Sequence, residues 1–182
     1  MKTAKKKRPA AADDVIGWRE IVSLPELGVF DMRAKIDTGA RTSALHAENQ
    51  EVFDRDGGNW VRFRVPASRY HSDFRVEVPV LDERSIKNTS GVPERRIVIR
   101  TLLHLGSHRW QVDVSLADRT NMGFDMILGR TAIRRHKVLV HAGRSFLAGK
   151  PDVAGATRQV TSHRSATRQD SATLPRPGDE DR

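Results

Sequence analysis

Cysteine is missing altogether from the 182 residues, which removes disulfides, thiol catalysis and every cysteine-based zinc site at once. Long apolar runs are missing too: no stretch approaches the ~18–20 uninterrupted apolar residues that a membrane-spanning helix needs. Aromatics are scarce, with six Phe, three Trp and one Tyr. They do not alternate with basic residues in the way a base-stacking strip would. There is no Gly-x-Ser-x-Gly elbow and no His-Glu-x-x-His pair. Residues 143–151 imitate a phosphate loop, but the gap is one residue too long and Pro151 stands where Ser or Thr belongs. The opening Lys5-Lys6-Lys7-Arg8-Pro9 resembles the start of a signal peptide, yet Asp13 and Asp14 arrive before any apolar core of ~7–15 residues. The expectation is a cytoplasmic protein with no membrane span, no cofactor, no metal and no specific nucleic-acid site.

Positive charge is what the chain does have. The formal net charge is +9. Residues 1–14 carry five bases and two acids, residues 15–150 carry 22 and 16, and residues 151–182 carry five of each. The excess therefore sits mostly in the body. Such a field attracts acidic proteins, RNA or anionic surfaces, although a merely solvated basic face is the simpler account of it.

Composition divides the chain into a disordered basic arm over 1–14, one domain over 15–150 and a disordered tail over 151–182. The tail offers only Val153, Val160 and Leu174 as larger aliphatic side chains, too little to offset its ordering entropy. Inside the domain, period-2 patterns dominate. Phe30, Met32, Ala34 and Ile36 share one face, with Asp31, Arg33, Lys35 and Asp37 on the other. Val61, Phe63 and Val65 alternate with arginines, and Val76, Val78 and Val80 alternate likewise, as do Trp110, Val112, Val114 and Leu116. Asp56-Gly57-Gly58-Asn59 and Gly106-Ser107 lie where hairpin turns belong. The one helix signal is the stretch 130–136 after Gly129. The fold class is all-β: a small closed or strongly curved barrel with one short helix.

The informative segment is Lys35-Ile36-Asp37-Thr38-Gly39-Ala40-Arg41-Thr42-Ser43-Ala44-Leu45. A strand runs into Asp37 and Thr38-Gly39 breaks it, which sets a carboxylate at a strand end beside a glycine N–H. Further on, Met126-Ile127-Leu128-Gly129-Arg130 is an apolar strand ending in Gly-Arg before the short helix. The pair of motifs resembles the retropepsin-like aspartic proteases. More narrowly, with His46, Ala47 and Asp118-Arg119 added, it resembles the bacterial retropepsin-like family often labelled "ATP-dependent zinc protease", whose members occur beside ligases that add glutamate to a ribosomal protein.

The resemblance implies a pepsin-type half-barrel in which Asp37 is the catalytic aspartate. Thr38 would hydrogen-bond across a dimer axis, and Gly39 would donate its N–H to the carboxylate. Ala40, Arg41, Asp118 and Arg119 would face the substrate. A flap over about 82–96 would do so too, with Ser90 and Gly91 at its tip. Thr42, Ile127, Leu128 and Gly129 would support the catalytic loop, with Arg130 bracing it. Aspartic protease chemistry needs two carboxylates around one water. The chain holds a single Asp-Thr-Gly, so the implied enzyme is a two-fold homodimer cutting a peptide or protein.

Other readings stay open beside this one. Asp118 and Arg119 also read as a stabilising ion pair. His46 reads as a satisfied core histidine. His104 and His108 have ligand spacing for a helix, but Gly106-Ser107 favours a turn that keeps them apart. From another class comes an idle barrel that binds an acidic protein or a ribosomal component.

Overall fold

The computed structural model describes residues 15–68, 71–87 and 90–153. The expected arm over 1–14, and the expected tail beyond Val153, lie outside the described residues. Twelve strands and one short helix follow in chain order. They are β1 (Val15–Gly17), β2 (Arg19–Leu24), β3 (Val29–Asp37), β4 (Ser43–His46), β5 (Glu48–Arg55) and β6 (Gly58–Val65). Then come β7 (Phe74–Pro79), β8 (Asp82–Lys87), β9 (Pro93–Leu105), β10 (His108–Ala117), β11 (Met126–Gly129), α1 (Arg130–Ile133) and β12 (Leu139–His141).

Six strands close on themselves in the order β10-β4-β11-β3-β2-β9 and back to β10. Closure removes sheet edges, and the inward residues make one core. Leu24, Leu45, Leu103, Leu105, Met126 and Leu128 are fully buried there, each such side chain worth about 1.5–3 kcal/mol of transfer free energy. The fold is therefore the all-β closed barrel that the alternation calls for, with α1 and one 3₁₀ turn (Arg134–His136) occupying the expected helical stretch.

Alternation places most strands as expected. Val61, Phe63 and Val65 are buried on β6, and Trp110, Val112, Val114 and Leu116 on β10. Asp56 and Gly57 both take positive φ, which matches the two-residue turn joining β5 to β6. One face needs correcting. On β3 the buried series is Val29, Met32, Ala34 and Ile36, and Phe30 is only half-buried. Asp31 has φ 54° and the β2–β3 register shifts beside it, so the strand changes phase there.

Outside the barrel, β5, β6 and β7 form an antiparallel sheet, and β1 pairs in parallel with β12. Glu20 ties this second unit down. Its fully buried carboxylate accepts N–H groups from Gly17, from Leu147 (2.9 Å) and from Ala148 (3.4 Å). Further along, Pro151 is buried and the Asp152 N–H donates to Gly106 O (3.0 Å), so the chain is still packed at the β9–β10 turn.

The placement of β11 matters most for the site. It lies between β3, to which it is parallel, and β4, to which it is antiparallel. Leu128 then pairs with Ile36 and Gly129 with Asp37, so two motifs some ninety residues apart in sequence meet at one strand end.

Candidate active site

β3 ends at Asp37, and the loop 38–42 leads into β4. The Gly39 N–H (3.1 Å) and the Ala40 N–H (3.0 Å) both donate to Asp37 Oδ1. Asp37 Oδ2 lies 3.6 Å from Lys35 Nζ, and the side chain keeps 28% exposure. Two backbone donors and a nearby cation hold the carboxylate in place, with room left for a ligand.

The loop is braced from behind by the chain after β11. Arg130 Nη1 donates to Thr38 O (2.9 Å) and Gly39 O (3.0 Å). The Arg130 N–H donates to Ala40 O (2.9 Å), while the Thr131 N–H (3.1 Å) and hydroxyl (2.8 Å) donate to Arg41 O. Every carbonyl from Thr38 to Arg41 thus has a donor in Arg130 or Thr131. Ser43 Oγ accepts the Gly129 N–H at 3.2 Å. Gly129 has to be glycine for space: a Cβ there would sit 2.6 Å from the Thr42 carbonyl carbon and 2.7 Å from its oxygen. Leu128 is fully buried behind the loop, and Ile127 and Thr42 are half-buried beside it.

Asp37 opens into a groove of about 1410 Å³. The hairpin β8–β9 forms its far side, with Asp82 paired to Val98 at the base and Lys87 to Pro93 at the outer end. The expected flap is therefore a hairpin. Asn88 and Thr89 at its tip lie outside the described residues. Ser90 and Gly91 are exposed and do not line the groove; Ser85, Ile86 and Lys87 on the stem line it instead. Thr38 is exposed on the catalytic loop and lies outside the lining as well, whereas Gly39, Ala40 and Arg41 belong to it.

The lining is strongly basic. Arg84, Lys87, Arg96 and Arg100 come from the hairpin side, and Arg41, Arg119, Arg134 and Arg135 from the opposite side and the helix end. Only Asp37 and Asp113 carry negative charge against them. Asp113 is already engaged by Arg100 (2.8 Å) and Arg84 (3.3 Å). These hydrogen bonds hold its carboxyl below the usual range despite burial, the largest influence on it, which pushes the other way.

Asp118 and Arg119 part company. Asp118 is 79% exposed and accepts from the Thr120 N–H (2.9 Å) and hydroxyl (2.6 Å), which lowers its pKa; it stays outside the groove. Arg119 turns inward, and its Nε donates to Phe124 O at 3.0 Å. The stabilising ion pair between these neighbours is not formed. Successive residues just past β10 point opposite ways, one to water and one to the groove.

His46 is a satisfied core histidine. Its Nδ1 accepts the Arg119 N–H (2.9 Å), which assigns the ring proton to Nε2, 3.5 Å from Glu48. His71 contacts Asp125 at 3.3 Å, and that hydrogen bond raises the histidine's pKa and lowers the carboxyl's. His108 is the cross-strand partner of Leu105 and shares its face, so His104 points to the other side. Among the described residues no three His, Asp or Glu gather as metal ligands. His71 has both ring nitrogens engaged, by Ser72 O and Asp125, and His46 Nδ1 accepts the Arg119 N–H, so the described residues offer no ligand set that fits the zinc of the family label.

Sequence reasoning missed the hairpin arginines and the pairing of Trp110 with His136, whose rings stack at 4.1 Å inside the groove. Alternation on β9 puts Arg96 and Arg100 on one face, and that was the available signal for the first. Nothing local foretells the second.

Residues 15–151 match the family described as retropepsin-like aspartic endopeptidase RimB. Among curated relatives, a probable alpha-L-glutamate ligase from Desulfotalea psychrophila is 45% identical over 124 residues, covering 67% of this chain and 27% of that one. Another, from Shewanella halifaxensis, is 40% identical over 138 residues, covering 75% and 30%. The chain thus spans less than a third of the length of these relatives. A solved structure, a protein of unknown function (DUF785) from Legionella pneumophila, superposes with a TM-score of 0.64 at 26% identity, covering 74% of this chain and 97% of that one. With its Asp-Thr-Gly loop clamped by Gly129 and Arg130, the chain belongs to the RimB-like family of retropepsin-like aspartic endopeptidases.

Proposed function

We propose that this protein is a cytoplasmic aspartic endopeptidase, working as a homodimer in which Asp37 of each copy faces the other across a two-fold axis. The observation that carries it is the carboxylate at the end of β3, held by the Gly39 and Ala40 N–H groups and still open to the groove. One copy supplies one such carboxylate, and the chemistry needs two. The ionised Asp37 takes a proton from water as the water oxygen attacks the peptide carbonyl. The protonated Asp37 of the second copy gives its proton to the carbonyl oxygen, forming a gem-diol. Collapse of that intermediate breaks the C–N bond, and the departing nitrogen takes a proton from the dyad. Thr38, exposed on the loop, fits a role in joining the two copies.

The basic lining favours an acidic peptide as substrate, since the groove's cations outnumber its acids. The ligase names of the relatives point the same way, because a glutamate-tailed protein is an acidic peptide. That lining also favours a second reading: an idle barrel that holds an acidic partner without cutting it.

The test compares the parent protein with Asp37→Asn on a mixture of acidic and neutral peptides across about pH 3–8, with and without a chelator. Cleavage lost in the variant and indifferent to the chelator supports the endopeptidase. Binding without cleavage by either protein supports the idle barrel. Cleavage that survives Asp37→Asn sinks the assignment of the catalytic residue.

A further inference from the structure

Of the eight cations around the groove, Arg119 alone is buried, at 9% exposure. A buried guanidinium normally sits in an ion pair, because an uncompensated charge away from water is costly. Arg119 has no such pair among the described residues. Asp37 and Asp125 are close enough for their charges to act on it, yet Asp37 lies against Lys35 and Asp125 against His71. Its Nε is fixed by Phe124 O and its backbone N–H by His46. The side chain is therefore set in one orientation, and no acceptor among the described residues meets its two terminal nitrogens. Arg96, 12% exposed on the hairpin side and paired with Glu94 at 2.8 Å, lies close enough for its charge to act on Arg119 as well.

We infer that Arg119, with Arg96 beside it, is the specificity-determining receptor for a carboxylate side chain of the substrate close to the bond that Asp37 cuts. The inference rests on the proposed endopeptidase for its place in the reaction. The planar fork of a guanidinium matches a carboxylate in two parallel hydrogen bonds. Arg119 and Asp37 line the same groove, so an extended peptide lying along it meets both, one with a side chain and the other with its backbone. The arrangement also solves an electrostatic problem. A dyad sharing one proton carries a negative charge and repels an acidic substrate, and the buried cation offsets that repulsion. A nucleic acid fits less well, because the groove's one tryptophan is already stacked on His136.

The test uses the full chain carrying Asp37→Asn, so that binding is read without chemistry. Two fluorescent peptides of equal length are compared by anisotropy, one with Glu and one with Gln at the acidic positions. Glu should be preferred, and adding Arg119→Met should lower the Glu-to-Gln affinity ratio by about tenfold or more. Arg119→Lys should lower it by about threefold, since an ammonium has no fork. Arg109→Gln, exposed on β10 away from the groove, controls for net charge and should leave the ratio alone. Should the Met variant prove unfolded in urea titration, the Lys variant decides. A ratio unmoved by Arg119 substitution overturns the inference, as does tighter, Arg119-dependent binding of an RNA oligomer of equal charge. Failure of the parent protein to cleave sinks the endopeptidase alone, because the ratio is measured without cleavage.

Discussion

At the scale of the residue, the hydrogen atom that serves Gly129 as a side chain sets how closely β11 approaches the catalytic loop. Replacing it by a methyl puts carbon 2.6 Å from the Thr42 carbonyl. That neighbour is backbone and cannot swing aside. Gly129→Ala should therefore cost about 1–3 kcal/mol in urea denaturation and should reduce peptide cleavage more than the lost stability explains. His71 and Asp125 make a second residue-scale prediction. The hydrogen bond to Asp125 raises the His71 pKa, so its contribution is complete below the unfolded value and fades as pH rises through the folded one. The same bond lowers Asp125, whose contribution is present above the unfolded carboxylate value and fades as pH falls through the folded one. The pair thus stabilises most between the carboxylate and imidazole ranges. The stability gap between the parent and His71→Gln should be widest near pH 5–6 and should narrow by about pH 8.5. A gap that is flat across that range would rule the pair out as a stabilising contact. Asp37 and Gly39 were legible in the sequence because their contact is between immediate chain neighbours, whereas the bracing by Gly129 and Arg130, some ninety residues away, was reached only through the resemblance. The opposite orientations of Asp118 and Arg119 were not legible, since Arg119 is held inward by His46, which arrives from a distant strand.

At the scale of the element, Glu20 joins β2 to two segments it does not pair with in any sheet. Removing its carboxylate leaves the buried N–H of Gly17 and the partly buried N–H groups of Leu147 and Ala148 without this acceptor. Glu20→Ala should cost roughly 3 kcal/mol or more. Amide exchange at Leu147 and Ala148 should quicken well before the barrel strands lose protection. Exchange that quickens uniformly would mean the clasp and the barrel open as one unit. Strand identity was plain from alternation, because the β6 and β10 faces follow local hydrophobicity. The change of phase at Phe30 was not, since it follows from the backbone of Asp31 rather than from any side chain's polarity. The insertion of β11 between β3 and β4 was reached only through resemblance, as pairing between segments that distant leaves no mark on either one.

At the scale of the whole molecule, charge and symmetry carry the argument. The excess of positive charge seen in composition turns out to be gathered on one groove, a concentration that counting residues does not reveal. The proposed shared dyad makes activity depend on assembly. Specific activity per chain should fall on dilution below the dimer's dissociation constant and recover on concentration, with sedimentation tracking the same transition. A verified monomer that cleaves at full rate per chain would falsify the shared dyad.

The hairpin over the groove is not an appendage with joints of its own. The strand that starts as its outer arm, Pro93 to Val98, continues without a break as a wall of the barrel to Leu105. Mechanically it is a cantilever, clamped along its inner length by β10. Closing over a peptide must therefore bend a beam rather than turn a hinge, and the load is passed into the wall around Val98 and Ile99. Stiffness there, far from any reacting atom, becomes part of how readily the jaw shuts.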